Sequence, residues 1–225
     1  MKGRNILYKY FAQLELLEVH FPLNDSGVRV AFTWLDAFSR KSVTQHSIVF
    51  EKACVIFCLG AVLSQIADNQ NRLEADGLKV AYQSLQCAAG MFTHIHDNFL
   101  HAPSDDVSKN CVQTLSSLML AQAQEVRDFC HSRLIAANSV FRQCFWEKAV
   151  MDRLKPSMVA KLASSVCRLY QTALDSATSK LPAGYLDPSW VTTMQVKVLH
   201  FGSIAQHYAS LVAEQEQQVR SYFAW

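Results

Sequence analysis

Phe50-Glu51-Lys52-Ala53-Cys54-Val55-Ile56-Phe57-Cys58-Leu59-Gly60-Ala61 decides the fold. Beyond Glu51 and Lys52 the stretch holds no charge, no proline and no turn dipeptide. It extends in the same character from Ser47 to Ala67, apolar on nearly every face. A helix that is apolar all round is buried on all sides, so this one is expected at the centre of the molecule. Its longest uninterrupted apolar run, Ala53 to Leu63, is well short of the roughly 20 residues a membrane span needs.

Downstream, the spacing stays helical. Leu78, Ala81, Leu85, Ala88, Phe92, Ile95 and Phe99 recur in alternating steps of three and four, which puts them on one helix face. Pro103-Ser104-Asp105-Asp106 breaks that helix, and Ser108 is an N-cap for another through Glu125. Lys155-Pro156 opens the next, with the stripe Val159, Leu162, Val166, Leu169 and Ala173. A loop from Leu181 to Pro188 leads to the last helix, striped by Val191, Met194, Val198, Phe201, Ala205, Tyr208 and Val212, with a solvated tail at Glu214–Gln218. Upstream, residues 6–19 read as a helix ended by Phe21-Pro22. Asn24-Asp25-Ser26-Gly27 is a turn signal, and Val28 to Trp34 reads as a short strand paired with residues near Phe21, the one β element expected. The pattern predicts an all-α chain, a bundle or a solenoid of helical hairpins, with a small N-terminal β element. Pro-containing loops separate the stripes, which disfavours a coiled coil, and no repeat of fixed period is evident.

Composition agrees. Half of the 225 residues are apolar and 18% charged, as in a protein with a sizeable core. Seven glycines and five prolines are too few for the many tight turns of an all-β chain. A net charge of +2 without a Lys/Arg run implies neither nucleic acid nor an anionic membrane. The basic start, Met1 to Asn5, has no signal-peptide core behind it. Seven cysteines, an odd number at irregular spacing and mostly inside apolar patterns, read as buried, reduced thiols of a cytosolic protein.

Motifs for chemistry are sparse. There is no phosphate loop, GxGxxG, GxSxG or HExxH. His94 and His96 are two apart, so on a helix they diverge and read as surface residues. Cys54 and Cys58 share a face, yet no second Cys/His pair sits at zinc spacing. Asp105-Asp106 reads as a solvated turn. No catalytic residue, cofactor or metal is assigned; the expectation is a non-catalytic interaction module.

Two stretches carry a family resemblance. One is Phe32-Thr33-Trp34-Leu35-Asp36-Ala37-Phe38, followed by Ser47-Ile48-Val49, the run from Phe50 to Ala61, and Ser64-Gln65-Ile66-Ala67. The other is Thr114-Leu115-Ser116-Ser117-Leu118-Met119-Leu120-Ala121-Gln122-Ala123-Gln124-Glu125. Together they resemble the BRO domain, the module shared by Alix and by PalA-like pH-response scaffolds, from about Leu7 to about Glu216. The resemblance implies a curved, tetratricopeptide-like helical body with a small sheet near its N-terminus. It implies an adaptor, cytoplasmic and recruited to endosomes through partners, that binds the C-terminal amphipathic helix of a filament-forming ESCRT-III subunit, with ambient-pH signalling as one process served. The family's contact positions fall on Phe145, Met158 and Leu162, with Lys148 beside them for partner acids. From spacing alone Met158 and Leu162 read as core and Lys148 as a solvated lysine. A general helical scaffold for another peptide, an enzyme with an unrecognised site, or an inactive product of a defective gene model are the other readings.

The sequence departs from the family in three places. Cys58 stands where the family has asparagine. Eighteen residues, Val126 to Gln143, separate Glu125 from Cys144-Phe145-Trp146-Glu147-Lys148-Ala149, which follows it directly in the family. This segment reads as an intron retained in frame: its codons can begin with a splice donor at Val126-Arg127, end with an acceptor at Gln143, and hold a branch-site string at Ala137-Asn138-Ser139. If translated it is expected to loop out or break the helix, because about five extra turns would shift everything downstream by roughly 27 Å. Finally, the chain is expected to be a partial domain over residues 1–225, lacking strands before Leu7, with a non-family tail over 219–225 that permits a second donor-like string at Val219-Arg220.

Overall fold

The computed structural model describes residues 2–21, 29–72, 74–99, 103–136 and 155–222, with side chains for all of these but 127–136 and 218–222. In chain order they form α1 (Lys2–His20), β1 (Phe32–Leu35), β2 (Ser42–Gln45), α2 (Ile48–Asp68), α3 (Ala75–Asn98), α4 (Lys109–Ala136), α5 (Pro156–Ser179) and α6 (Pro188–Tyr222). Each helix packs chiefly against the next in sequence, from α1 on α2 to α5 on α6. The described residues therefore form a helical array with a two-stranded sheet, of the class the periodicity predicts.

Local chemistry sets the element ends. Ser47 caps α2, its Oγ accepting from the Phe50 amide at 3.4 Å. Ser108 does the same for α4 through the Cys111 amide, 3.4 Å. Pro156 and Pro188 stand first in α5 and α6, where a missing N–H costs nothing. α2 is 21 residues long and apolar enough to cross a membrane, but 56% of its most apolar window is buried in protein. Val55, Ile56, Leu59 and Leu63 are almost wholly enclosed, as expected of a central helix. α3 approaches so closely that a Cβ on Gly60 would lie 2.8 Å from the Phe92 ring.

The β element differs from the expectation. β1 starts at Phe32, and its antiparallel partner follows it, pairing Phe32 with Gln45 and Leu35 with Ser42. The turn is built by Asp36, whose Oδ1 accepts from the amides of Phe38 (3.0 Å) and Ser39 (2.7 Å), and by Arg40 at φ 58. Aspartate closing its own backbone makes a tight turn without glycine, so the usual hairpin signal is missing.

Two further expectations are corrected. Asp106 is not solvated: it is buried, and accepts from the Ala37 amide at 2.9 Å, the Ser104 hydroxyl at 2.6 Å and the Val107 amide at 2.9 Å. Asp36 Oδ2 beside it takes the Asp106 amide at 3.1 Å and the Tyr185 hydroxyl at 2.9 Å. This carboxylate pair ties the hairpin turn to the α3–α4 and α5–α6 loops. Cys87 is exposed, whereas Cys54 and Cys111 are buried. α4 runs eleven residues past Glu125, through Ala136; the rest of the 126–143 segment lies outside the described residues.

Candidate docking face on α4 and α5

The predicted contact residues depend on how α5 lies against α4. Lys180 donates from Nζ to Gln113 Oε1 at 2.8 Å, and its carbonyl accepts from Asn110 at 3.2 Å. At the other end, Tyr170 donates to Glu125 Oε2 at 2.5 Å. Residues late in α5 meet residues early in α4, so the pair is antiparallel. Lys197 of α6 reaches Glu125 Oε1 at 2.5 Å, and Phe201 of α6 stacks parallel to Tyr170 with centroids 6.3 Å apart. Glu125 thus fixes three consecutive helices. Burial, then the Glu125 charge, pushes the Tyr170 phenol far above its ordinary range, so it stays a donor.

α5 turns Val159, Ala163, Val166, Tyr170 and Ala173 into the core. Met158 does not join them. It is 52% exposed. Leu162, one turn on, is half-buried, as is Leu169 two turns beyond that. Leu169 packs against the core, so Met158 and Leu162 mark the edge of α5, and the core-packing reading of Met158 is overturned. On α4, Gln113 and Leu120 are also exposed, but they lie opposite the C-terminal half of α5, toward Lys180, and away from Met158. Phe145 and Lys148 lie outside the described residues. Spacing alone misses the edge because Ala163, one position along from Leu162, packs into the core.

Elsewhere the chemistry is subdued. An open cleft of about 290 Å³ lies where β2 meets α2, lined by Gln45, Ser47, Val49, Phe50, Phe99 and Val107 among others. It shares no residue with the α5 edge. Burial first, and the nearby Asp106 charge second, pushes the thiols of Cys54, Cys58 and Cys111 up, so they are poor nucleophiles. Among the described residues no three His, Cys, Asp or Glu side chains converge as a metal site. His94 is exposed and contacts Asn98; His96 pairs with Asp97 at 2.8 Å.

The BRO1-like domain family matches residues 1–222 of this chain. This chain belongs to that family. Vacuolar protein-sorting protein bro1 of Emericella nidulans is 46% identical over 209 residues, 93% of this chain and 19% of that protein. ALG-2 interacting protein X of Dictyostelium discoideum is 33% identical over 220 residues, 96% of this chain and 25% of that protein. The chain thus spans about a fifth to a quarter of the length of these relatives. Among solved structures, one described as an ALIX BRO1 CHMP4C complex superposes with a TM-score of 0.78 at 30% identity, covering 97% of this chain and 58% of that one. Another, described as the structural basis for endosomal targeting by the Bro1 domain, has a TM-score of 0.77 at 25% identity, covering 96% and 56%. A helical array with a small sheet is therefore the BRO1 fold, as the motifs around Phe50 and Thr114 imply.

Proposed function

We propose that this chain is a non-catalytic adaptor module that binds an amphipathic helix from an ESCRT-III subunit, in endosomal protein sorting. The observation that carries the reading is Met158, a large apolar side chain 52% exposed on the α5 edge beside half-buried Leu162. An exposed methionine next to a leucine one turn away is the kind of adaptable apolar ridge that receives a partner helix. The relatives are vacuolar protein-sorting proteins, and a structural neighbour is described as a BRO1 complex with CHMP4C; both support a sorting adaptor. On this reading Phe145 and Lys148 complete the site, the chain is cytoplasmic, and partners recruit it to endosomes. Service in ambient-pH signalling is the more specific role.

We also propose that Val126–Gln143 is a removable segment, an intron retained in frame, and that 219–225 is a tail foreign to the domain. The support is sequence placement: removal joins Glu125 to Cys144, and eighteen residues are about five whole turns. Cys144 would then occupy the buried position now held by Val126, so α4 would keep its faces.

A peptide panel tests the adaptor reading. Fluorescently labelled helices from the C-terminus of an ESCRT-III subunit and from unrelated amphipathic segments are titrated with the 225-residue chain and with a form lacking 126–143. Preference for the ESCRT-III helix by either form supports the reading. Equal binding of every amphipathic helix favours a general scaffold instead.

A further inference from the structure

α6 carries two stripes. The inward one, from Val191 to Val212, packs toward α5 and is buried or half-buried throughout. On the opposite side Ser189, Thr192, Val196, Leu199, Ser203 and Gln206 recur in the same alternating steps of three and four, and all are exposed. Val196 and Leu199 are 57% and 73% exposed. The solvent side of a helix ordinarily carries charge. Yet from Ser189 to Ala213 the one charged residue is Lys197, and it turns away to meet Glu125 at 2.5 Å. Two hydroxyls of the outer stripe already donate within their own helix, Thr192 to the Pro188 carbonyl at 3.0 Å and Ser203 to the His200 carbonyl at 2.8 Å. Covering them therefore strands no donor. The outer side of α6 is built as a seam, with an apolar centre, small flanks and no ion to desolvate.

We propose that this seam pairs with the same seam on a second copy of the chain, antiparallel about a twofold axis between Val196 and Leu199. In a twofold pair every contact occurs twice with the roles exchanged. This register sets Val196 of one copy on Leu199 of the other, Thr192 on Ser203, and Ser189 on Gln206, all symmetric about the axis. The apolar centre then covers itself, and the small residues beside it let the two helices approach closely. Charge points to a second copy rather than a foreign partner. The seam offers no ion by which to select another surface. A net charge of +2 barely repels a copy of the same chain. The nearest acids on α6 and its leading loop, Asp187 and Glu214, lie beyond both ends of the paired stretch. That stretch is about 25 Å long and about 10 Å wide, roughly 250 Å² per copy, well under the roughly 800 Å² per partner of a tight complex. The dimer is accordingly weak, with a dissociation constant of about 100 μM.

Sedimentation velocity of the 225-residue chain tests this, at about 5 μM and about 500 μM, concentrations that bracket the expected constant. The chain is a monomer at the lower and mostly a dimer at the higher. Val196→Glu and Leu199→Lys, each made alone, weaken the dimer at least about ten-fold, because each sets an unpaired charge against an apolar side chain. Circular dichroism checks that these exposed substitutions leave the fold intact. An equimolar mixture of the two variants recovers the dimer, since the antiparallel register sets the new carboxylate against the new ammonium. A wild-type chain that stays monomeric at both concentrations overturns the proposal. So does a dimer that persists in both single variants, which would place the contact elsewhere, and so does a mixture that fails to recover, which would rule out this register.

Discussion

Glu51 is buried, with Tyr10 donating to one carboxylate oxygen at 2.7 Å and Trp34 Nε1 to the other at 2.5 Å. One side chain of α2 thereby anchors both α1 and β1, and burial together with Glu51 pushes the Tyr10 phenol up to about 12. Glu51→Ala leaves two half-buried donors without their partner. It is expected to lower stability by about 2–4 kcal/mol in urea unfolding, with Glu51→Gln losing less. Asp36 predicts a pH effect. Burial alone would raise its carboxyl, but hydrogen bonds from the Ser39 amide, the Tyr185 hydroxyl and the Phe38 amide outweigh burial, and its pKa lies below the ordinary value. A carboxyl depressed in the folded state contributes stability that is complete above its unfolded pKa and is lost as pH falls through the folded one. Unfolding free energy should therefore drop on acidification below about pH 4, and Asp36→Asn should lower stability at neutral pH while flattening that drop. An unchanged acid limb in Asp36→Asn would show that other carboxylates govern it.

At the scale of elements, α2 and α3 pack closely at Gly60. A methyl group on Gly60 meets the Phe92 ring, which itself packs edge-on against Phe57 at 5.5 Å. Gly60→Ala gains helix propensity but must move that ring, and a net loss of about 1–2 kcal/mol in thermal or chemical unfolding is expected. Helices α2 to α6 were legible in the sequence because each carries a long apolar stripe or, in α2, an apolar surface all round. β2 was not. Ser42-Val43-Thr44-Gln45 is short and mostly polar, and its turn rests on the Asp36 side chain and a left-handed Arg40 rather than on glycine. The docking edge was only half legible. Periodicity assigns Leu162 to the core stripe of α5, and only the fold shows Ala163 buried and Leu162 at its margin.

The whole molecule is a chain of neighbours, each helix leaning on the next, so damage should stay local. That bears on residues 126–143. α4 passes into the segment as far as Ala136, and α5 meets α4 at Glu125 through Tyr170, just before the segment begins. Deleting Val126–Gln143 should accordingly leave a folded protein of equal or greater unfolding free energy, read by urea titration, while transcripts and genomic DNA show whether the segment begins and ends at splice sites. Genomic codons for Val126 lacking a GT start would dismiss the intron.

The central claim is that the α5 edge docks a helix, and isothermal titration of an ESCRT-III C-terminal helix peptide tests it most directly. Two variants of this chain serve, Met158→Asp on the edge and Leu199→Asp on α6, where Leu199 is 73% exposed. The account predicts that Met158→Asp weakens binding at least about ten-fold while Leu199→Asp matches the wild type, both remaining folded. Binding that survives Met158→Asp, or that falls equally in both variants, would contradict it.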